Sequence, residues 1–423
     1  NSLVFDASFE SANLLSAVQR GPKEYDLFLR ADLHTEGFTQ WFYFAVTNTH
    51  THAALVTFNI VNLTKPDSLF NLGMQPVMYS CAEAVENGIG WVRTGTSVQY
   101  QANHPVDAGM TYYTLSFTLA FYRPDDIYLI AHSYPYTYSD HKAHIANLLR
   151  SSRKRRVTRH SALCRTLDSH ECDLMTITSN ENDLRSNECN TTSMPYLTRR
   201  KKLIILSARV HPGETPASWM MRGILEFLTG ESNDAKILRS LFIFKIVPML
   251  NPDGVIYGNN RCSLSGVDLN RQWKKPTKAL HPTIYHLKSL IRTERAQREV
   301  VLFCDLHGHS RKQNIFMYGC DDRRKPRPAV RVFPKLLSWN EIGRKYVNFA
   351  DCSFHVKKSR EGTGRVVVAR EMCISNSFTL EASFCGSNFG VLQNYHFNMG
   401  HFQEAGRSLC GALLDYYLPN STQ

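Results

Sequence analysis

The chain has 423 residues, 43% of them hydrophobic, and its 49 Lys and Arg against 37 Asp and Glu leave a formal net charge of +12. That length exceeds what one hydrophobic core usually serves, so two domains are expected; no apolar run of about 18 residues provides a membrane-crossing helix, and Asn1 to Asp6 lack the pattern of a secretory leader. The charge favours acidic partners without choosing among nucleic acid, an anionic membrane and an acidic polypeptide.

Up to about residue 150 the chain reads as β. Thr111 to Tyr122 alternates, with Leu115, Phe117, Leu119 and Phe121 on one side and Thr114, Ser116, Thr118 and Ala120 on the other, the mark of a half-buried strand. Shorter runs at Trp41 to Val46, Leu55 to Leu63 and Asp126 to Ala131 fit a small antiparallel β-sandwich. The expected division is residues 1–135 for this sandwich and 136–423 for an α/β domain. Ser152 to Arg156 is a basic run, read either as a solvated helix end or as an import signal or contact for an acidic partner. Ser179 to Pro195, rich in Asn, Ser, Glu and Thr, reads as an exposed loop of the second domain.

From Lys201 the pattern becomes α/β. Leu203 to Ala208 and Phe242 to Met249 are continuous apolar runs, as strands buried on both faces require, and Ala217 to Leu228 between them has helical spacing. Further strands are expected at Val300 to Cys304, Ile315 to Tyr318, Arg365 to Val368 and Phe378 to Glu381. Helices are expected over Thr283 to Gln297, Ala329 to Ala350 and Phe402 to Tyr417. Alternating strands and helices imply a mixed sheet covered on both faces. Eleven cysteines without a CxxC pair suit reduced thiols in the cytoplasm or nucleus.

Four clusters carry chemistry. His211 and Glu214 follow the strand ending at Ala208, on the turn made by Pro212 and Gly213, and can point at one metal ion. His307 and His309 end the strand that begins at Val300, where open α/β sheets bind ligands; spacing puts both on one side and leaves the third ligand open between them. Asn270 and Arg271, with Arg261 nearby, offer an amide and guanidinium forks that suit a terminal carboxylate and an oxyanion. Glu381 interrupts an apolar strand between Leu380 and Ala382, which calls for a partner or a raised pKa and suits a general base.

With these clusters in order, the chain resembles the metallocarboxypeptidases of the carboxypeptidase A type, and most closely their cytosolic carboxypeptidase branch. The likeness runs along nearly the whole chain, through Phe9 to Leu14, Tyr25 to Arg30, Ala131 to Tyr138, His211 to Glu214, Cys262 to Trp273 and Asp305 to Ser310. It implies a carboxypeptidase-like mixed sheet covered by helices, preceded by the β-sandwich, with one zinc ion per chain on His211, Glu214 and His307 rather than His309. It also implies Glu381 as base, Arg261 for the oxyanion, Asn270 and Arg271 for the substrate carboxylate, and Asp268 as the residue that orients a ligand histidine. The implied activity is removal of C-terminal glutamate from proteins, including the polyglutamate side chains of tubulin. In the family, the segment before the base lines the specificity pocket, so Arg365, Arg370 and Lys358 are candidates to pair with a glutamate side chain.

One departure stands out. No Tyr occurs between Tyr346 and Tyr395, where digestive members carry a mobile one. Nucleic acid and membrane are not expected as partners, no nucleotide loop is present, and a monomer is expected. The alternatives are an aspartoacylase-like zinc amidohydrolase acting on small N-acyl amino acids, and a binding protein with a silent site.

Overall fold

The computed structural model describes residues 2–47, 54–103, 111–179, 201–321 and 327–418. Its first part contains β1 (Val4–Asp6), β2 (Leu14–Gly21), β3 (Glu24–Leu29), β4 (Tyr43–Thr47), β5 (Ala54–Leu63), β6 (Val77–Ser80), β7 (Val92–Arg93), β8 (Thr96–Ala102), β9 (Tyr113–Phe121) and β10 (Tyr128–Ala131). These form two five-stranded sheets, ordered β1-β4-β10-β6-β7 and β2-β3-β5-β9-β8. The alternation read from the sequence becomes β9, with Leu115, Phe117, Leu119 and Phe121 buried. All recorded pairings are antiparallel except β3 with β5, a parallel neighbour inside an otherwise antiparallel sandwich. Rings of Phe42, Phe44, Phe58, Phe117 and Phe121 fill the core, joined by Phe384 and Cys385 from the far end of the chain. Apolar burial of this kind contributes about 25 cal/mol per Å², and here it ties the first part of the chain to the second.

The second part is built on one sheet of eight strands: β11 (Thr158–Arg165), β12 (Glu171–Ile177), β13 (Lys202–Ala208), β14 (Phe242–Val247), β15 (Val300–His309), β16 (Ile315–Asp321), β17 (Ser353–His355) and β18 (Ser377–Ser383). Their order is β11-β12-β14-β13-β15-β18-β16-β17. The four central strands, β14, β13, β15 and β18, run parallel, and β12 and β16 join antiparallel on either side. Along β13, Ile204 and Leu206 enter one apolar cluster while Leu203 and Ile205 enter another, so a continuous apolar run serves a strand covered on both faces. The chain leaves β13 to β14 on one side and returns to β15 on the other. Such a reversal opens a crevice at the carboxyl ends of the strands.

Helix Thr215–Leu228 lies against helix Met399–Tyr417 with almost no room between backbones. A Cβ at Gly223 would stand 2.0 Å from the Gln403 carbonyl oxygen, and one at Gly406 would stand 2.0 Å from that of Met220. Only glycine allows so close an approach.

Two expectations are corrected. Arg365 to Val368 is no strand but part of helix Gly364–Glu371. Three consecutive valines favour a strand locally, but Val366, Val367 and Val368 are all buried, and the Gly364 N–H is taken by Asn270 Oδ1 at 3.0 Å. The single helix expected over Ala329 to Ala350 is broken into helix Val332–Trp339 and 3₁₀ turns at Pro328–Arg331, Gly343–Lys345 and Phe349–Asp351. Asn340 ends the helix in an extended conformation, accepting from Gly343 N at 2.5 Å and donating to Ser408 O at 2.9 Å. The basic run from Ser152 lies on the short helix Ser152–Val157. The loop expected near 179–195 falls almost entirely outside the described residues.

Candidate active site

The crevice end of β13 is locally strained. Arg209 adopts φ 59°, a left-handed conformation that side chains rarely take. It is held by its own guanidinium, which donates to Pro212 O at 2.7 Å, Tyr136 O at 3.0 Å and Ser218 Oγ at 2.8 Å. The turn so fixed delivers His211 and Glu214, and its Gly213 N–H bonds the Asn260 carbonyl at 2.8 Å. His307 arrives from β15, its Nδ1 2.8 Å from Glu214 Oε2, while His211 Nδ1 lies 2.8 Å from Glu214 Oε1. One donor atom from each of the three residues falls within 4.8 Å of the others.

Each histidine is fixed from behind by a carboxylate. His211 Nε2 lies 3.0 Å from Asp268 Oδ1, and His307 Nε2 lies 2.8 Å from Asp305 Oδ2. Both Nδ1 atoms are thereby turned toward Glu214. Two imidazoles and a carboxylate converging on one point, with each imidazole backed by a carboxylate, form the donor set of a catalytic zinc site that keeps a fourth position open. The residues therefore fit zinc. Burial favours a neutral Glu214, but the charges and hydrogen bonds of His211 and His307 outweigh it and hold the carboxyl well below its usual range.

His309 is otherwise engaged. Its Nδ1 accepts from Arg311 N at 3.2 Å and Lys312 N at 2.9 Å, its ring meets Phe316 edge-on, and burial lowers its pKa to about 4. The geometry brings His307, and not His309, together with His211 and Glu214.

Glu381 stands directly beside His307 in the parallel register of β15 and β18. Among the described residues its carboxylate has no hydrogen-bond or ion-pair partner. Burial raises its pKa to about 7 against the opposing charge of His307.

The remaining candidates divide. Arg261 grips Asp268 Oδ2 through Nε at 2.9 Å and Nη2 at 2.6 Å, and Arg271 lies 3.6 Å from the same oxygen. Asn270 places Nδ2 3.4 Å from His307 Nε2. Arg365 is buried, bonds the Gly319 carbonyl, lies 5.6 Å above the Tyr318 ring and is felt electrostatically at Glu381. Arg370 turns away and pairs with Glu361 at 3.1 Å, and Lys358 is exposed on the 3₁₀ turn Lys358–Arg360. The helix explains the split, since positions five apart lie roughly 140° apart around its axis.

Sequence reading missed three contributors. Asp305 orients His307 and accepts from Ser207 Oγ at 2.7 Å; as an ionisable residue inside an apolar strand, it carried the same signal as Glu381. Asp32, from the β-sandwich, accepts the backbone N–H groups of Asn260 at 2.5 Å, Arg261 at 2.7 Å and Cys262 at 2.7 Å. Burial raises its pKa to about 6 despite these donors. Lys65, also from the sandwich, reaches Ser310 just beyond His309. Neither Asp32 nor Lys65 had a local signal, because each meets its partners more than 200 positions away.

Comparison with known proteins accords with this geometry. A family model described as zinc carboxypeptidase matches residues 145–398, and one described as cytosolic carboxypeptidase N-terminal domain matches residues 5–119. Cytosolic carboxypeptidase 3 of Mus musculus is 44% identical over 100% of this chain and 41% of its own length. Cytosolic carboxypeptidase 2 of Homo sapiens is 43% identical over 99% of this chain and 45% of its own length. The chain thus spans less than half of these relatives. The fold is shared with a metallo-carboxypeptidase from Burkholderia cenocepacia, at a TM-score of 0.75 and 21% identity over 98% of both chains. A metallo-carboxypeptidase from Pseudomonas aeruginosa gives a TM-score of 0.71 at 19% identity, over 97% of this chain and 98% of its own. With 254 residues under the first family model and the N-terminal model beside it, this chain belongs to the zinc carboxypeptidase family, in its cytosolic carboxypeptidase branch.

Proposed function

We propose that the chain is a zinc-dependent carboxypeptidase that removes C-terminal glutamate from acidic protein tails and polyglutamate side chains, those of tubulin among them. The observation that carries the reading is the placement of Glu381, unpaired among the described residues and with a raised pKa, beside His307 and the His211–Glu214 turn. Zinc held by His211, Glu214 and His307 supplies Lewis acidity, lowering the pKa of water and polarising a carbonyl.

The chain's own groups do the rest. Glu381 accepts the proton of the attacking water on a carboxylate oxygen and passes it to the leaving amine nitrogen. Arg261, fixed on Asp268, meets the negative charge that develops on the scissile carbonyl oxygen. Asn270 and Arg271 bind the terminal carboxylate, and the fork of Arg271 suits two-point recognition. Arg365, buried beside Tyr318, pairs with the side-chain carboxylate of the released glutamate.

The test compares peptides ending in Glu with matched peptides ending in Gln. Wild-type chain is expected to favour Glu, and Arg365→Ala is expected to reduce kcat/KM for Glu by about tenfold more than for Gln, as a lost close charge pair implies. Equal losses for both peptides would remove Arg365 from the specificity pocket.

A further inference from the structure

The turn after β5 brings a cation from the β-sandwich to the edge of the metal-ligand cluster. Lys65 Nζ lies 3.3 Å from Ser310 Oγ, three residues beyond His307, and the Tyr100 hydroxyl bonds the Lys65 carbonyl. Two residues further on, Asp67 pairs with Arg311 at 3.4 Å, so the turn is fastened to the segment that leaves β15. Lys65 is half-buried and has no carboxylate within ion-pairing distance among the described residues. The charges that act on it are those of Arg261, Glu214, Arg311 and Asp32. Burial, reinforced by Arg261, lowers its pKa to about 8.

The charges of Glu214 and Asp32 offset part of the cost of desolvating the Lys65 ammonium near Arg261 and Arg311, and an acidic group bound beside it offsets the rest. Asn270 and Arg365, with the helix Gly364–Glu371, serve the flank nearer Glu381. Lys65 enters from the sandwich, against Ser310 beyond His307 and within electrostatic reach of Glu214 and Arg261.

We infer that Lys65 is a specificity-determining residue contributed by the β-sandwich, and that it receives the acidic side chain of the residue preceding the released one. The inference rests on the reading of acidic C-termini as substrate and deepens it. Recognition then extends over two consecutive acidic residues, which favours runs of glutamate over a single terminal one.

The experiment uses two peptides that both end in Glu and differ only in a penultimate Glu or Gln. Wild-type chain is expected to favour the penultimate Glu by about tenfold in kcat/KM, the scale of one close charge pair. Lys65→Gln is expected to bring the ratio near one, and Lys65→Arg to restore it, with zinc content measured for each variant. Wild-type chain that cuts both peptides equally, or a Lys65→Gln variant that keeps the preference, overturns the inference while glutamate release stands. Release from neither peptide overturns the substrate reading and the inference with it.

Discussion

An ionisable side chain inside an apolar strand requires either a partner or a shifted pKa, and among the described residues Glu381 has only the second. Glu381→Ala is expected to bind zinc at wild-type stoichiometry while kcat falls by at least about a hundredfold, the scale of a lost general base; metal analysis beside steady-state kinetics checks this, and substantial turnover in the metal-loaded variant contradicts it. The misfit that revealed Glu381 was legible in the sequence, as was the spacing of His211 and Glu214. Spacing alone did not separate His307 from His309, which only the family resemblance did, because the difference lies in the turn that occupies His309 Nδ1 and in Asp305 behind His307. Asp32 was illegible for a different reason: its three amide partners lie 228 to 230 positions away. Those bonds hold the loop that carries Arg261. Asp32→Asn is expected to lower kcat by roughly tenfold, since a charged buried hydrogen bond is worth about 1.5–3 kcal/mol, with zinc content and KM close to wild type. Unchanged kcat would mean that the loop holds its shape without Asp32.

Among elements, the central parallel strands were read where they stand because burial on both faces leaves a plain mark in sequence. Helix Gly364–Glu371 was misread because its valines report burial and not backbone geometry. The helix sends Arg365 inward, while Arg370 pairs with Glu361 at the surface. A second element junction is electrostatic. Asp173 on β12 takes His141 at 2.9 Å and Lys142 at 3.0 Å from helix Tyr138–Arg150, and His160 at 2.6 Å from β11. Burial alone would raise the Asp173 pKa, but the hydrogen bonds of His141 and His160 and the charge of His141 outweigh it and hold the carboxyl well below its usual range. A depressed carboxyl stabilises the fold fully above its unfolded pKa of about 4, and that contribution is lost as pH falls toward the folded value. Asp173→Asn is therefore expected to cost about 3–5 kcal/mol near pH 7, the scale of a buried ion pair that loses one partner. Its gap from the parent should narrow as pH drops below about 4. Unfolding midpoints measured across pH check both parts, and a gap independent of pH contradicts the electrostatic account.

At the scale of the molecule, the β-sandwich and the eight-stranded sheet share a core through Phe384 and Cys385 and share the site through Asp32 and Lys65. The sandwich was legible from alternation, but its closeness to the chemistry was not, because long-range pairing leaves no local pattern. Within the net charge of +12, Arg365 and Lys65 are two cations within electrostatic reach of the metal-ligand cluster, and the proposed substrate specificity rests on them. The central claim, zinc-dependent removal of glutamate from acidic C-termini, is tested most directly by mass spectrometry of defined linear and branched glutamylated peptides matching tubulin tails. After incubation with the zinc-loaded chain, the account predicts stepwise loss of single glutamates, abolished by a chelator and restored by added zinc. Intact peptides in the presence of chain with bound zinc would contradict it.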